Sequence, residues 1–496
     1  MEYVIGVDLG TSAIKAVLMD HHGTLRARQQ LGTELAPAAD GRISFDADHA
    51  VRRFATVVSA LASQCPRGSI SAVSMCAASG NAMLTDADGT PRIEAISWLD
   101  RRTEGLTSQT LPDLDPATVH AVTGWPWLEG FAFAKYAWLK HFRPYLIDKS
   151  TRFCMFIEYL VWRLCGEWVI DTSTATPSLL QDQLKRSWCG EYLRMLGITR
   201  ERMSRMLCSG TRAGSLLPSA AAECGLSSRC SLILGCFDHP AAARALGITD
   251  TRHMLLSCGT SWVLLLPSVS RDNAISCGFR TDPFLEPGGP WAALRSLSRI
   301  GEALDFLIEA CLGPGRDAGL SRYQLFDRLA SGVDRYRRAA DPAAWLLIDP
   351  MEYRKPGDDT LQLSLAAYAR GEVALAIMEG AAFCLRRELQ DGARLFASVN
   401  TIRMAGGPSE SALWPQIIAD ILNLRVEIVH ARFSGAIGAA QIAASSRFST
   451  SGPSDNPVGG IQRVYEPDRS LQPVYSERYQ VFTARHADAG QTPAGQ

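Results

Sequence analysis

Several large classes of protein are excluded by what this sequence lacks. Its 13 cysteines are scattered and form no C-x-x-C pair. That argues against a zinc ribbon and against a secreted disulfide framework. They read instead as small core hydrophobes in a reducing compartment. Excess charge is also missing: 50 basic residues face 51 acidic ones, a formal net charge of -1. Nothing suggests a nucleic-acid or membrane surface. The longest apolar runs fall far short of a bilayer span. The N-terminus enters a strand directly, so no signal peptide is expected and a cytoplasmic location is. Two nucleotide motifs are absent as well. No G-x-x-x-x-G-K-[ST] occurs, and no G-x-G-x-x-G follows a strand.

The 496 residues, 47% hydrophobic and 20% charged, provide ordinary globular material for two large domains. The most informative stretch comes first. Tyr3 to Leu9 is an apolar run carrying Asp8 near its end. Gly10-Thr11-Ser12 breaks it, and Ala13 to Asp20 returns as a second run, so the pattern predicts strand, tight turn and strand. Gly10 lets backbone amides approach an anion, Thr11 and Ser12 add hydroxyl donors, and Lys15 adds charge. Asp8 is placed to hold a magnesium ion through its water shell. An ordinary hairpin explains the stretch equally well when it is taken alone.

Further along, Phe45 to Ser63 has helical periodicity and Ile70 to Met75 reads as a buried strand. The small residues Cys76 to Asn81 follow, with Ser79, Gly80 and Asn81 where a strand end would line a pocket. Ala95 to Arg102 reads as extended, with Trp98, Asp100 and Arg102 on one face. A ring beside a carboxylate suits a polyhydroxylated ligand; a buried Trp beside a surface ion pair fits too. Phe153 to Cys165 is strongly apolar, and Trp188 to Leu196 reads as a helix. Ser231 to Phe237 is a buried strand that meets Asp238, His239 and Pro240 where a helix begins. Asp238 there is either an N-cap or a general base that accepts a hydroxyl proton during phosphoryl transfer.

The opening design then recurs. Thr251 to Leu256, Gly259-Thr260-Ser261 and Trp262 to Leu266 repeat strand, turn and strand, which suggests an internal duplication. Ala344 to Ile348 is read as a strand. Ile402 to Ser409 is a strand running into Gly406 and Gly407, where a flat ring can lie against backbone, with Ser409 beside them.

Taken in order, these stretches resemble the FGGY-type carbohydrate kinases of the actin-like ATPase superfamily, from Tyr3 to about Ala484. Ile5 to Ser12 resembles the first phosphate motif, and Trp98, Asp100 and Arg102 match W-x-D-x-R. Leu164 to Glu167 followed by Asp171 and Ser173 resembles the LTGE…TDxS segment. Gly235 and Asp238 match the motif of the catalytic aspartate, Gly259 to Ser261 the second phosphate motif, and Gly406-Gly407 through Trp414 the adenosine motif.

The resemblance implies an α/β fold of two ribonuclease-H-like domains with a catalytic cleft between them, over residues 1–247 and 248–484, then a tail, 485–496. It implies Asp238 as catalytic base and Asp8 as metal residue. Gly10, Thr11, Ser12, Lys15, Gly259, Thr260 and Ser261 would lie at the ATP phosphates, and Gly406, Gly407 and Ser409 at the adenosine. Ser79, Gly80, Asn81, Trp98, Asp100, Phe237 and His239 would meet the substrate. ATP and Mg2+ are the expected cofactors. A small sugar or polyol is the expected partner, with a homodimer left open and neither nucleic acid nor membrane involved. A degenerate ATP- and sugar-binding sensor is the alternative. Ser79-Gly80 stands where xylulose kinases carry Met-His and glycerol kinases Arg-Glu, so neither D-xylulose nor glycerol is favoured.

Overall fold

The computed structural model describes residues 2–78, 80–259, 261–283, 289–313, 319–335, 346–352, 364–448 and 456–489. Ser79 and Thr260 therefore lie outside the described residues. The chain divides into two compact units. The first comprises Met1–Thr249, Pro267–Ala293 and Arg432–Val458; the second comprises Asp250–Leu266, Leu294–Ala431 and Gly459–Gln496.

The first unit is built on β1 (Tyr3–Leu9), β2 (Ala13–Asp20), β3 (Leu25–Gly32), β4 (Ile70–Ala77), β5 (Arg212–Ser215) and β6 (Ser231–Phe237). Their order in the sheet is β5-β6-β4-β1-β2-β3. Strands β1, β4 and β6 run parallel at its centre; β2 returns antiparallel beside β1, placing Lys15 opposite Asp8. Buried on both faces, β1 and β6 read as near-continuous apolar runs.

One face is covered by the helix Ser434–Arg447, whose Ala436, Ala439, Ala440 and Ala443 are buried with Val4, Val17, Ile233 and Cys236. This small-residue helix sits almost on the strand backbone. A Cβ at Gly6 would fall 2.0 Å from the Ala436 carbonyl oxygen, and one at Gly438 would fall 1.9 Å from that of Ala241. Glycine is therefore required at both contacts.

A smaller antiparallel sheet in the same unit pairs Ala82 with Ile96 and Met155 with Ala82. It brings the Gly80-Asn81 and Ser97-Trp98 segments side by side. The helix Ala47–Ala62 begins next to it, capped by Asp46, whose carboxylate accepts from the His49 amide at 2.8 Å.

The second unit is built on β7 (His253–Cys258), β8 (Trp262–Ser268), β9 (Trp291–Leu297), β10 (Thr401–Gly406), β11 (Arg425–Val429) and β12 (Ile461–Tyr465). They lie in the order β12-β11-β10-β7-β8-β9. Here β7, β10 and β11 are parallel, and β8 is antiparallel to β7. The long helix Arg370–Asp391 is buried through Val373 to Leu385.

Three local expectations change. Residues 95–102 are not one extended segment: the strand stops at Ile96 and the chain turns, Asp100 N donating to Ser97 O at 3.0 Å. The turn forms because the Asp100 carboxylate gathers Ile43 N and the Arg102 guanidinium. The apolar run from Phe153 divides into a strand, Arg152–Met155, and a helix, Phe156–Cys165, ended by Gly166 at φ 79°. Ala344 and Trp345 lie outside the described residues, and Leu346–Ile348 is irregular rather than strand.

Candidate active site

In the first unit, the C-terminal ends of β1 and β6 deliver two carboxylates. Asp8 lies at the end of β1 beside Cys76 of β4, whose thiol donates to Asp8 Oδ1 at 3.7 Å. Asp238 opens the helix Asp238–Ala245 immediately after β6, and its carboxylate accepts from His239 N at 2.7 Å. The two acids feel one another. Burial, then repulsion from Asp238, pushes the Asp8 carboxyl up to about 7, against the pull of Lys15 and Cys76. Burial likewise raises Asp238, opposed by His239. Gly435, in the first turn of the helix Ser434–Arg447, has room for no Cβ: it would lie 2.8 Å from Asp8 Oδ2. The positive end of that helix thus faces the carboxylate.

A two-carboxylate corner with a nearby lysine is a donor set of hard oxygens, which suits a magnesium ion that keeps most of its water. Burial raises both acids, and a cation between them would offset that cost by favouring their charged forms. Among the described residues there is no group of three or more His, Cys, Asp or Glu placed to hold a metal directly. Asp8, with Asp238 near it, is the fitting partner.

The backbone that presents Asp238 is pinned from behind. Ser173 Oγ donates to the buried Asp282 carboxylate at 2.8 Å and accepts from Phe237 N at 3.0 Å. The Phe237 ring meets Trp125 edge-on at 5.6 Å, and Trp125 meets Phe131 at 5.7 Å. Phe131 in turn lies on Gly80, which has φ 95°; a Cβ there would be 2.6 Å from the Phe131 ring. An aromatic wall therefore runs from the end of β6 to the Gly80 loop. His239 closes it on the other side, its ring 5.4 Å from Phe237.

Trp98 is tied to both the Gly80-Asn81 segment and the first glycine turn. Its indole N–H donates to Thr11 Oγ1 at 3.0 Å, and its backbone N–H donates to Asn81 Oδ1 at 2.9 Å. Asp100 faces inward instead: it is 1% exposed, with its oxygens taken by Arg102 and Ile43 N. It shapes the loop that carries Trp98. Buried Lys135 donates to Ser97 O at 2.6 Å and to Gly80 O at 3.3 Å, tying the two pocket segments together. Burial drives its ammonium down to about 7, with Asp100 opposing. Ser12 O accepts from Thr33 N, and Thr33 Oγ1 donates to Thr11 O, so the first glycine turn is braced from outside.

The second unit carries its own glycine turn and platform. Gly259 and Ser261 lie in the connection between β7 and β8. Gly406 ends β10 with φ 106°, its α-carbon so close to β7 that a Cβ would be 2.2 Å from Cys258 O. At Gly407 a Cβ would strike the Tyr323 ring at 2.3 Å. Tyr323 thus forms a flat wall over the glycine pair, backed by Arg322 at 4.9 Å. Ser409 Oγ donates to Gly406 O at 2.6 Å, fixing the turn. Trp125, Phe131, Lys135 and Tyr323 did not emerge from sequence reasoning, because they carry no local motif. An aromatic-rich helix, Ala132–Phe142, with a lysine on its buried face was the available signal.

Two sheets that share a five-strand order, each with a glycine turn, and a carboxylate at a strand end are the arrangement of a phosphoryl-transfer enzyme of the actin-like ATPase fold. The N-terminal domain model of the FGGY family of carbohydrate kinases matches residues 3–245, and the C-terminal domain model matches residues 254–447. The chain belongs to that family and is an ATP-dependent carbohydrate kinase. It is 28% identical over 460 residues to the xylulose kinase of Bacillus subtilis (strain 168), covering 90% of this chain and 88% of that one. It is 26% identical over 517 residues to the autoinducer-2 kinase of Photorhabdus laumondii, covering 98% and 94%. Among solved structures, the xylulose kinase of Rhodospirillum rubrum has the same fold, with a TM-score of 0.85 at 23% identity, covering 98% of this chain and 99% of that one. No helix among the described residues is long and apolar enough to cross a membrane.

Proposed function

We propose that this kinase transfers the γ-phosphate of ATP to a primary hydroxyl of a small open-chain ketose or polyol, with Asp238 as general base. The hydroxyl oxygen attacks phosphorus, its proton passes to the Asp238 carboxylate, and the bond to the ADP oxygen breaks. The observation that carries the reading is the corner itself. A carboxylate raised by burial sits at a strand end beside an aromatic wall, with a second carboxylate and a glycine turn within electrostatic reach. A raised carboxyl is a better proton acceptor than an exposed aspartate, and catalysis otherwise rests on positioning.

Gly10, Thr11, Ser12 and Lys15 receive phosphate oxygens, as do Gly259, Thr260 and Ser261; Gly406, Gly407 and Tyr323 receive the adenine ring. Asp8 would hold Mg2+, which would supply neutralisation of phosphate charge. Trp98, Phe131, Phe237 and His239 face the acceptor, with Gly80 and Asn81 at its edge.

Relatives named xylulose kinase and autoinducer-2 kinase support a small-molecule acceptor of the sugar or polyol class. Ser79-Gly80, where xylulose kinases carry Met-His, separates this chain from them. Coupled ADP release over pentuloses, hexuloses, sugar acids and polyols tests the proposal. Acceptor-dependent release with at least one of them is expected. Acceptor binding with no ADP release from the whole panel would refute catalysis and leave a sensor.

A further inference from the structure

In the second unit, the loop that follows the glycine pair is held by two side chains from elsewhere in the unit. Residues 409–413 join the Gly407 turn to the helix Trp414–Leu422. The N-cap of that helix, Leu413, makes no side-chain bond to the amides that lack helical partners. A different helix supplies the missing acceptor. Asp327, on the helix Arg322–Ser331, accepts from Ala412 N at 2.7 Å, from Leu413 N at 3.2 Å and from Ser411 Oγ. Ser411 Oγ accepts in turn from Leu413 N at 3.1 Å and from Trp414 N at 2.7 Å. Arg463, on β12, takes the carbonyls of the same loop: it donates to Ser411 O at 3.2 Å and to Ser409 O. A carboxylate thus gathers the amides and a guanidinium the carbonyls, both in charge-assisted bonds.

Capping alone would account for Asp327, but its helix adds a second contact. Tyr323 stands four residues earlier, one turn away on the same face. Its ring lies on Gly407, within 2.3 Å of where a Cβ would be. One helix face therefore meets the loop twice, through a ring at Gly407 and through a carboxylate at residues 411–413. Between them Phe326 packs on Trp414 at 6.0 Å. Arg322 donates to the Tyr323 hydroxyl at 3.0 Å and pairs with Asp305 at 2.7 Å, which steadies the ring itself. A loop released from Asp327 and Arg463 would be free to carry Gly407 off Tyr323.

We propose that Asp327 and Arg463 are positioning residues of the nucleotide site. They hold the loop so that Gly407 stays seated against Tyr323, and the platform for the adenine ring exists before the nucleotide arrives. This rests on the reading above that Gly406, Gly407 and Tyr323 receive that ring. Both side chains act through the loop, so their loss falls on the base and spares the phosphates.

The test uses the full chain with Mg2+ and compares two probes by calorimetry, ADP and inorganic tripolyphosphate. Asp327→Asn keeps the shape and turns one accepting oxygen into a donor. It is expected to raise the Kd for ADP about 10-fold, and Asp327→Ala at least as much. Arg463→Lys, which loses the fork and keeps the charge, is expected to raise it about threefold. The Kd for tripolyphosphate is expected to stay within about twofold in all three. With an acceptor from the panel above, the KM for ATP should rise by the same factor as the Kd for ADP, with kcat at saturating ATP within about threefold. Without any ligand, the Ala412 and Leu413 amides should exchange faster in Asp327→Asn than in the wild type. Arg463→Lys, the mildest change, carries the test if the Asp327 variants do not fold. A lower urea midpoint with ADP affinity unmoved would leave Asp327 a cap only and overturn the proposal. So would equal weakening of ADP and tripolyphosphate. A wild-type chain that binds tripolyphosphate and no ADP would instead refute the adenine platform itself.

Discussion

The hairpins that open the two units share a plan and differ in chemistry. In both, a strand runs into a glycine turn and returns antiparallel, and a parallel strand flanks it on the other side. Two residues before the glycine, the first unit has Asp8 and the second has Ser257. Four residues before it, the first has Gly6 and the second has Leu255. Five strands of each sheet follow one order, β6-β4-β1-β2-β3 and β11-β10-β7-β8-β9, while the antiparallel strand beside them comes earlier in the chain than its neighbour in the first unit (β5) and later in the second (β12). The hairpin plan is shared, while among the described residues the carboxylate two residues before the glycine and the helix packed on the strand's own glycine are found in the first unit. The second presents bare glycine backbone beside Tyr323, where the proposed function puts the ring.

The contrast can be broken first at the base. Asp238→Asn is expected to lower acceptor-dependent ADP release about 1,000-fold, with nucleotide affinity within about twofold by calorimetry. Survival of turnover would remove the first unit's claim to the chemistry. The paired test is Asp8→Asn against Ser257→Ala. About 100-fold loss of turnover and a weakened Mg2+ dependence are expected for the former, and less than about threefold loss for the latter. Equal losses would erase the asymmetry.

On stability, Gly6→Ala is expected to cost about 3 kcal/mol in urea unfolding, because the new methyl meets the Ala436 carbonyl oxygen. In the second unit, Gly407→Ala displaces Tyr323 and is expected to raise the KM for ATP about 10-fold, leaving that for the acceptor nearly unchanged.

The smallest effect concerns pH. Lys135 titrates near 7 when folded and near 10.5 when unfolded. Between these values the unfolded chain binds more protons, so this group makes stability rise as pH goes from 7 toward 10. Urea unfolding at about pH 7 and about pH 9 is expected to show that rise in the wild type and a shallower one in Lys135→Met.

Strand ends and glycine turns were legible because they are local. Alternation, a terminal Asp and a break at Gly10 or Gly406 announce themselves within a short window. The helix Ala47–Ala62 was legible for the same reason, with Asp46 at its cap. Asp100 was misplaced on an extended face because its partner Ile43 lies 57 residues away, beyond any local pattern. The return of Pro267–Ala293 to the first unit, bringing Asp282 to Ser173, was hidden likewise. Lys135 also escaped, since its meaning lies in two carbonyls belonging to segments that meet only in the smaller sheet.

The helix Ser434–Arg447 has a consequence for biosynthesis. It lies directly on Gly6, and the stretch that contains it, Arg432–Val458, belongs to the unit that begins at Met1. During translation the opening strands leave the ribosome long before their cover exists. A nascent chain must carry that bare apolar face through most of synthesis, which invites chaperone attendance. A chain terminated early, before residue 432, would never conceal it.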